Sequence, residues 1–187
     1  MNKKRCPWAI GPLDIEYHDN EWGRETHNDQ MLFEYLILEG MQAGLSWSLI
    51  LKKRENFKRA FDNFDYNICA NYTDEYLESL REDASIIRNK LKIYSVRKNA
   101  LAFVEVQKEF GSFDKYIWGF TNYKKINNKL ESYKDAASES ELSAKISKDL
   151  KKRGFSFVGS TIIYSYMQAI GMINDHEKGC FCYKECC

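Results

Sequence analysis

The sequence predicts an all-α fold, and three observations support this prediction. Apolar residues recur at intervals of three and four along most of the 187 residues. Runs that alternate apolar and polar residues are scarce. Residues that begin and end helices stand at the borders of the periodic segments. The length suffices for one substantial core, so we expect a single domain over residues 1–187.

Capping residues and apolar spacing define the successive helices. Asn28 or Asp29 begins one helix, and Gly40 is expected to end it. Thr73, followed by acidic residues in the first turn, begins another, and a long helix stops near Gly111. The apolar positions that define these helices are Leu32, Phe33, Leu36 and Ile37, then Ile50, Phe57 and Phe61 after Gly44 and Ser46, then Leu91, Tyr94, Leu101 and Val104, and finally Phe113, Tyr116, Ile117 and Phe120.

The stretch 122–141 is polar and rich in lysine, and we expect it to be the most mobile loop or linker. The most regular part of the chain follows it. A helix through Leu142, Ile146 and Leu150 is joined by K-K-R-G-F-S-F-V-G to a second helix that ends at Gly171. This pattern predicts a helix-hairpin-helix element over about residues 142–171.

The hairpin has features that suit the backbone of DNA. Gly154 fits the left-handed position after a helix, and Gly159 allows a close approach at the start of the next helix. The first amides of that helix would face a phosphate, with Lys151, Lys152 and Arg153 beside it. The alternative is an ordinary helical hairpin with a solvated basic end.

Composition narrows the class of protein. Hydrophobic residues at 44% argue for a globular chain, and no segment is apolar for long enough to cross a bilayer. The amino end, M-N-K-K-R-C-P-W, lacks the apolar stretch of a secretory signal, so we expect a cytoplasmic protein. The net charge of +1 excludes a generally polycationic nucleic-acid binder, so any phosphate binding must be local.

Cysteines and histidines at the two ends of the chain predict a metal site. Four of the six cysteines lie in the last eight residues, which is typical of metal ligands rather than of a disulfide framework. Cys6 and His18 near the start, with His176 and Cys180 near the end, complete a Cys₂His₂ set for one structural Zn²⁺ with no open position for a water. Alternatively, these are ordinary histidines and free thiols. The residues that compete with Cys180 for the fourth position are Cys182, Cys186 and Cys187.

An acidic residue on an apolar helix face marks a candidate pocket. Glu39 follows Leu32 by seven positions and Leu36 by three, so its carboxylate faces the interior, near a helix C-terminus where negative charge is disfavoured. We interpret Glu39 as functional; the alternative is a structural ion pair with an arginine or lysine. Aromatic residues nearby would make a box for a flat, electron-poor ring, unless they only pack the core. They are Trp8, Tyr17, Trp22 and Trp47.

The whole chain resembles bacterial 3-methyladenine DNA glycosylase I, a zinc-containing family of the helix-hairpin-helix superfamily. The resemblance rests on five motifs in order, with x for any residue: C-x-W; Y-H-D-N-E-W-G; L-E-G-x-Q-A-G-L-S-W followed by L-K-K-R-E-N; L-K-K-R-G-F-x-F-V-G; and N-D-H-x-x-G-C-x-C-Y. Between Trp8 and Leu13 this sequence is one residue shorter than the usual pattern, and Asp14 stands where an aromatic residue can occur.

The resemblance implies roles for the candidate residues. The zinc ligands would be Cys6, His18, His176 and Cys180, and the base pocket would contain Tyr17, Glu39 and Trp47, with Trp8 and Trp22 as lining. The turn from Gln42 through Gly44 to Leu45 would enter the DNA strand, where Leu45 fills space beside the vacated base. The family is not expected to use Asp175, although related glycosylases place a catalytic aspartate after the hairpin.

The implied activity is DNA repair. A monofunctional glycosylase would flip 3-methyladenine out of double-stranded alkylated DNA and hydrolyse its N-glycosidic bond, with Glu39 as the catalytic residue. We expect a monomer that does not bind membranes. Two alternatives are a zinc-stabilised DNA-binding module without catalysis and a zinc hydrolase with an open coordination position.

Overall fold

The structure, a computed structural model, describes residues 3–187 and is mostly helical over that range. The fold class predicted from the sequence is therefore confirmed in its main feature. The helices are α1 (Pro12–Asn20), α2 (Asp29–Gln42), α3 (Trp47–Ala60), α4 (Tyr66–Cys69), α5 (Asp74–Ser79), α6 (Lys90–Phe110), α7 (Phe113–Gly119), α8 (Glu141–Lys152) and α9 (Ser160–Ala169). Short 3₁₀ turns cover Asp62–Phe64 and Tyr133–Asp135, and two strands of two residues each are β1 (Ile126–Asn127) and β2 (Ile173–Asn174).

The predicted caps form as expected. The side chain of Asn28 accepts a hydrogen bond from the amide of Met31 at the start of α2, and Thr73 does the same for Tyr76 at α5. Gly111 ends α6 with a φ of 87°. Local side-chain chemistry therefore sets these helix ends.

Gly40 does not end α2, contrary to the sequence prediction, because the helix continues to Gln42. Because Gly40 has no side chain, another part of the chain can pack directly against the backbone of α2. A Cβ on Gly40 would lie 3.2 Å from the Cβ of Phe157, in the turn between α8 and α9. The glycine thus lets α2 and that turn pack closely together.

Helix α2 lies at the centre of the core, and residues around most of its circumference are buried. It packs against α3, α6 and α9. In α6 the buried positions include Ile93, Val96 and Phe103. Leu91 and Leu101, which the sequence analysis placed on the apolar stripe, are 71% and 51% exposed, so that part of the prediction is wrong.

The polar stretch 122–141 contains structure that the sequence did not predict. Strand β1 pairs in parallel with β2, with Ile126 opposite Ile173. The amide of Tyr133 donates a 2.8 Å hydrogen bond to the carboxylate of Glu177. The stretch is therefore attached to the C-terminal segment at two points, and its mobility stays a prediction.

The turn between α8 and α9, residues 153–159, is attached to α6 by one amide side chain. Asn99 donates to the carbonyl of Ser156 over 3.0 Å and accepts from the amide of Ser156 over 2.8 Å. Gly154 has a φ of 94°, the left-handed conformation expected from the sequence. Packing against α2 and α6 thus fixes the turn.

Membrane insertion by a helix finds no support in the described part of the chain. None of the helices within residues 3–187 is both long and apolar enough to cross a bilayer.

Candidate functional site

One cavity of about 510 Å³, open mouth included, brings together all five residues that the sequence assigned to a pocket. Tyr17 comes from α1, Glu39 from the last turn of α2, and Trp47 is the first residue of α3. Trp8 and Trp22 flank α1 in the sequence. Residues that the sequence analysis missed complete the lining: Tyr133, Ser165 and Gln168, together with Gln42, which it had placed at the DNA contact.

Four buried polar atoms in this cavity have no hydrogen-bond partner within residues 3–187: the indole nitrogens of Trp8 and Trp47, the Tyr17 hydroxyl and Oε2 of Glu39. Leaving such a group unpaired costs about 1–3 kcal/mol, so native proteins rarely do so without a reason. Three donors and one carboxyl oxygen, all on residues that line one aromatic cavity, favour a ligand that is flat and has polar edges.

Burial controls the protonation of Glu39. Its side chain is almost fully buried, and this desolvation raises its pKa to about 8. The sequence left open an ion pair with an arginine or lysine, but within residues 3–187 no such pair forms. Desolvation also raises the pKa of Tyr17, and the negative charge of Glu39 adds to that shift. Burial therefore favours the neutral form of both side chains, and a shift of this kind in a cavity marks Glu39 as a candidate functional group.

The aromatic rings enclose the cavity at angles to one another. The Tyr17 and Trp47 ring centroids lie 5.2 Å apart with planes tilted by 52°. Trp8 and Trp22 meet edge to face, with centroids 5.0 Å apart. Such contacts fix the ring positions, so the indole and phenol faces are set before any ligand arrives.

Cys6, His18, His176 and Cys180 form a buried cluster in which all four donor atoms lie within 4.8 Å of one another. The Cys180 sulfur lies 3.4 Å from Nε2 of His18 and 3.6 Å from Nδ1 of His176, and the Cys6 sulfur is also 3.6 Å from that Nδ1. The structure thus joins the two ends of the chain at a group that could hold a metal ion. It selects Cys180 over Cys182, Cys186 and Cys187 as the fourth member.

The remaining nitrogens of the two rings are also engaged. Nδ1 of His18 lies 2.8 Å from Asp19, which in turn pairs with Arg5, and Nε2 of His176 lies 3.1 Å from the carbonyl of Trp22. Partners of this kind orient imidazole ligands in metal sites. Hydrogen bonds from Cys6, and then from the histidines, lower the pKa of Cys180 and favour its thiolate.

The cluster supports the cavity directly. The ring of His18 lies 5.3 Å from that of Trp8, and the ring of His176 lies 4.6 Å from that of Trp22. A Cβ on Gly23 would come within 2.9 Å of Nε2 of His176, so only glycine fits beside this ring. Two walls of the pocket therefore rest on two members of the cluster.

Comparison with known proteins agrees with this geometry. The model of the methyladenine glycosylase family matches residues 8–183. The chain belongs to this family. It is 44% identical to DNA-3-methyladenine glycosylase 1 of Escherichia coli (strain K12) over 96% of this chain and 97% of that protein.

Solved structures of the family superpose closely. A crystal structure of 3-methyladenine DNA glycosylase I has a TM-score of 0.94 at 42% identity and covers 96% of this chain and 100% of that one. A second, of a tyrosine-to-phenylalanine variant in complex with 3-methyladenine, has a TM-score of 0.92 at 30% identity, over 95% and 96% of the two chains.

One departure from the family pattern has a simple structural outcome. Asp14 is buried and accepts a 2.7 Å hydrogen bond from the hydroxyl of Ser48 in α3. It does not line the cavity. This methyladenine glycosylase therefore uses Asp14 to join α1 to α3, and the pocket edge is made by Trp8.

The turn after α2 begins directly after Gln42, which lines the cavity. Gly44 has a φ of 76° with open space where a side chain would stand, and Leu45 is 37% exposed. Beneath the turn, the buried amine of Lys92 donates to the carbonyls of Met41 and Ala43 over 2.8 and 2.6 Å. This lysine, which the sequence analysis missed, satisfies the last carbonyls of α2 and holds the turn in place.

The basic end of α8 differs in part from the sequence prediction. Lys151 and Lys152 are exposed, as a phosphate contact requires. Arg153 is not available, because it forms ion pairs with Glu109 and Asp149. At the start of α9 the hydroxyl of Ser160 donates to Glu139, close to Gly159, above which the space is open.

The raised pKa of Glu39 predicts that replacing it stabilises this methyladenine glycosylase. Between the usual pKa of 4.5 and the folded value of about 8 the folded state binds more protons than the unfolded state, so stability is lost as pH rises through this range. Glu39→Gln removes this loss. The free energy of unfolding of the variant relative to the parent should therefore rise by on the order of 3 kcal/mol as the pH increases from 5 to 8.

The measurement is thermal unfolding of both proteins across that pH range. Glu105→Gln is the matched control, because the Glu105 side chain is 70% exposed. A constant difference between Glu39→Gln and the parent from pH 5 to pH 8 would contradict the argument.

Proposed function

We propose that this protein is a monofunctional DNA repair glycosylase that excises 3-methyladenine from alkylated double-stranded DNA by hydrolysing the N-glycosidic bond. The observation that carries the proposal is the set of four unpartnered polar atoms that line one aromatic cavity around Glu39. The relatives named above are 3-methyladenine glycosylases, and one solved structure holds the base itself.

Recognition follows from the charge and shape of the lesion. Alkylation at N3 leaves adenine cationic in DNA, and the carboxylate of Glu39 would accept a hydrogen bond from its amine edge and favour its charge. Trp47 would stack on the ring, Tyr17 would bond another edge, and Trp8 and Trp22 would close the sides. Neutral adenine gains less from each contact, so the enzyme selects the lesion.

For catalysis the enzyme needs to do little more than bind the damaged base and expose its glycosidic bond to water. A base inside the duplex cannot be reached, so the nucleotide must rotate out into the cavity at a cost of a few kcal/mol. A cationic purine is already a good leaving group, and strong acid catalysis is unnecessary. Burial raises the pKa of Glu39 to about 8. A cationic base beside the side chain would lower this pKa again, so the proton would pass to solvent water and leave the carboxylate that stabilises the lesion.

Contacts to the DNA would come from two elements. Gln42 lines the cavity, and after it in the same turn Gly44 and the exposed Leu45 would enter the DNA, where the leucine would fill the gap left by the flipped base. The α8–α9 hairpin would act as a helix-hairpin-helix that binds backbone phosphates through Lys151, Lys152 and the amides near Gly154 and Gly159. Neither contact reads sequence.

The Cys6, His18, His176 and Cys180 cluster would hold one structural Zn²⁺. With Zn–S bonds of about 2.3 Å and Zn–N bonds of about 2.1 Å, sulfur and nitrogen ligands of a tetrahedron lie about 3.6 Å apart. The 3.4 and 3.6 Å separations found here fit this value. Four protein ligands would fill the shell, so the ion's contribution is to join the chain ends rather than to activate water. The monomeric state and the cytoplasmic location expected from the sequence stay predictions.

Excision by a Glu39→Gln variant tests the proposed function. The amide keeps the shape of the side chain and loses its charge, so release of 3-methyladenine should fall at least about tenfold, or roughly 1.4 kcal/mol in the barrier. The assay incubates methylated duplex with each protein and identifies the released base by chromatography. Affinity for undamaged duplex should stay nearly unchanged.

Base release by the parent separates the proposal from its alternative. A zinc-stabilised DNA-binding module would bind the duplex and release nothing. If Glu39→Gln excised the base at the rate of the parent, Glu39 would have no part in catalysis.

Removal of zinc should lower the stability of the protein sharply. The ligands come from opposite ends of the chain, and structural zinc contributes about 10 kcal/mol or more to folding. Chelation and Cys6→Ser should each reduce the melting temperature by many degrees, and the metal content of the parent should be one zinc per chain. Cys187→Ser, at an exposed cysteine outside the cluster, is the control. An unchanged melting temperature after chelation would refute the metal site.

Neutralising Lys151 and Lys152 together should weaken binding to every duplex alike. Each lost phosphate contact removes about 0.9 from the slope of log K against log salt, so the slope should fall by about 2. Binding is measured by fluorescence anisotropy at several salt concentrations. Lys178→Gln with Lys184→Gln removes the same charge elsewhere and should leave the slope unchanged. A change in sequence preference at constant slope would argue against backbone contacts.

A further inference from the structure

Asp175 is a buried carboxylate that has no part in the proposed mechanism. Its side chain is among the least exposed of the protein, at 1%. Its oxygens accept hydrogen bonds from Asn128 over 2.6 Å, from the Tyr164 hydroxyl over 2.9 Å and from the amide of Gln168 over 2.8 Å. All three donors are neutral. Burying a carboxylate costs stability unless every oxygen is bonded, so this arrangement calls for a function.

The contact with Gln168 fixes the orientation of that amide. A glutamine can present either its oxygen or its nitrogen to a neighbour, whereas a carboxylate surrounded by donors only accepts. Nε2 of Gln168 must therefore face Asp175. Gln168 is also one of the residues that line the cavity, so the orientation of its amide bears on what the cavity wall presents.

Tyr133 lines the same cavity as Gln168. Its backbone amide donates a 2.8 Å hydrogen bond to Glu177, two residues after Asp175 in the chain. The C-terminal segment thus holds both of these lining residues. Asp175 itself does not line the cavity and cannot touch a ligand there.

We propose that Asp175 is a positioning residue: it fixes which end of the Gln168 amide faces the flipped base. This role rests on the proposed function, because the ligand is the methylated base. Asp175 contributes to recognition through Gln168 and performs no proton transfer.

The test compares Asp175→Ala, Gln168→Met and the double variant. Free 3-methyladenine is titrated against each protein, with the fluorescence of the pocket tryptophans as the signal. Each single variant should bind the base about tenfold more weakly, and the double variant no more than about twofold more weakly than either single, because both changes remove one interaction. Losses that multiply in the double variant, or unchanged affinity in Asp175→Ala, would overturn the proposal.

Tyr164→Phe separates positioning from a merely structural role. It removes another hydrogen bond to the same carboxylate and leaves Gln168 in place. Tyr164→Phe should melt at a lower temperature than the parent and bind the base with the same affinity. If its binding were weakened as much as that of Asp175→Ala, Asp175 would not act through Gln168. If Asp175→Ala does not fold, the affinity of Gln168→Met provides the test. Unchanged affinity of Gln168→Met for the base would show that Gln168 does not contribute to binding, and the proposed role of Asp175 would then be wrong.

A second measurement does not depend on the proposed function. The side-chain amide protons of Gln168 should exchange slowly with solvent in the parent and in Tyr164→Phe, and much faster in Asp175→Ala, as observed by NMR. Equal exchange in all three proteins refutes the orientation of the amide. If these protons exchange slowly in the parent but the parent neither binds nor releases 3-methyladenine, the orientation of the Gln168 amide would be supported and the proposed function would be rejected.

Discussion

The meeting of the two chain ends at Cys6, His18, His176 and Cys180 is the constraint on which the rest of the site depends. Trp8 and Trp22 are short-range neighbours of the two imidazoles, and they form walls of the cavity. The same C-terminal segment supplies Asp175 and Glu177, which reach Gln168 and Tyr133 on another wall. Closure of the ends and assembly of the pocket are therefore one event, since both sets of contacts require the segment around His176 to be in place.

Glu39 lowers the stability of the folded protein at a position where its carboxyl group can contribute to recognition of the base. Helix α2 is buried around most of its circumference, and an apolar side chain at this position would satisfy packing alone. The carboxylate instead remains without a bonding partner for Oε2, next to three donors that are equally unpaired. Such a group persists only where its cost is offset elsewhere, and the large apolar core around α2 offers that compensation.

Features that depend on nearby residues could be predicted from the sequence, and those that depend on distant ones could not. Asn28, Thr73 and Gly111 act within one helical turn, so the caps are correct. Glu39 stood out because it breaks a local pattern. Tyr133 reaches the pocket through a contact 44 residues away in the chain, and nothing in the polar stretch around it indicates this. Gln168 offered one signal that was missed: like Glu39, it is a polar residue on the buried face of a helix.

The close contact between Gly40 and Phe157 has a consequence for how a strand of DNA would be read. Glu39 and the α8–α9 turn belong to elements that pack so closely at Gly40 that even one added methyl group would be crowded, so no hinge lies between them. If the turn binds the DNA backbone, the distance from the bound phosphate to the carboxylate of Glu39 is constant. A lesion is then inspected at one fixed offset along the strand, and the nucleic acid, rather than the protein, must bend to bring it there.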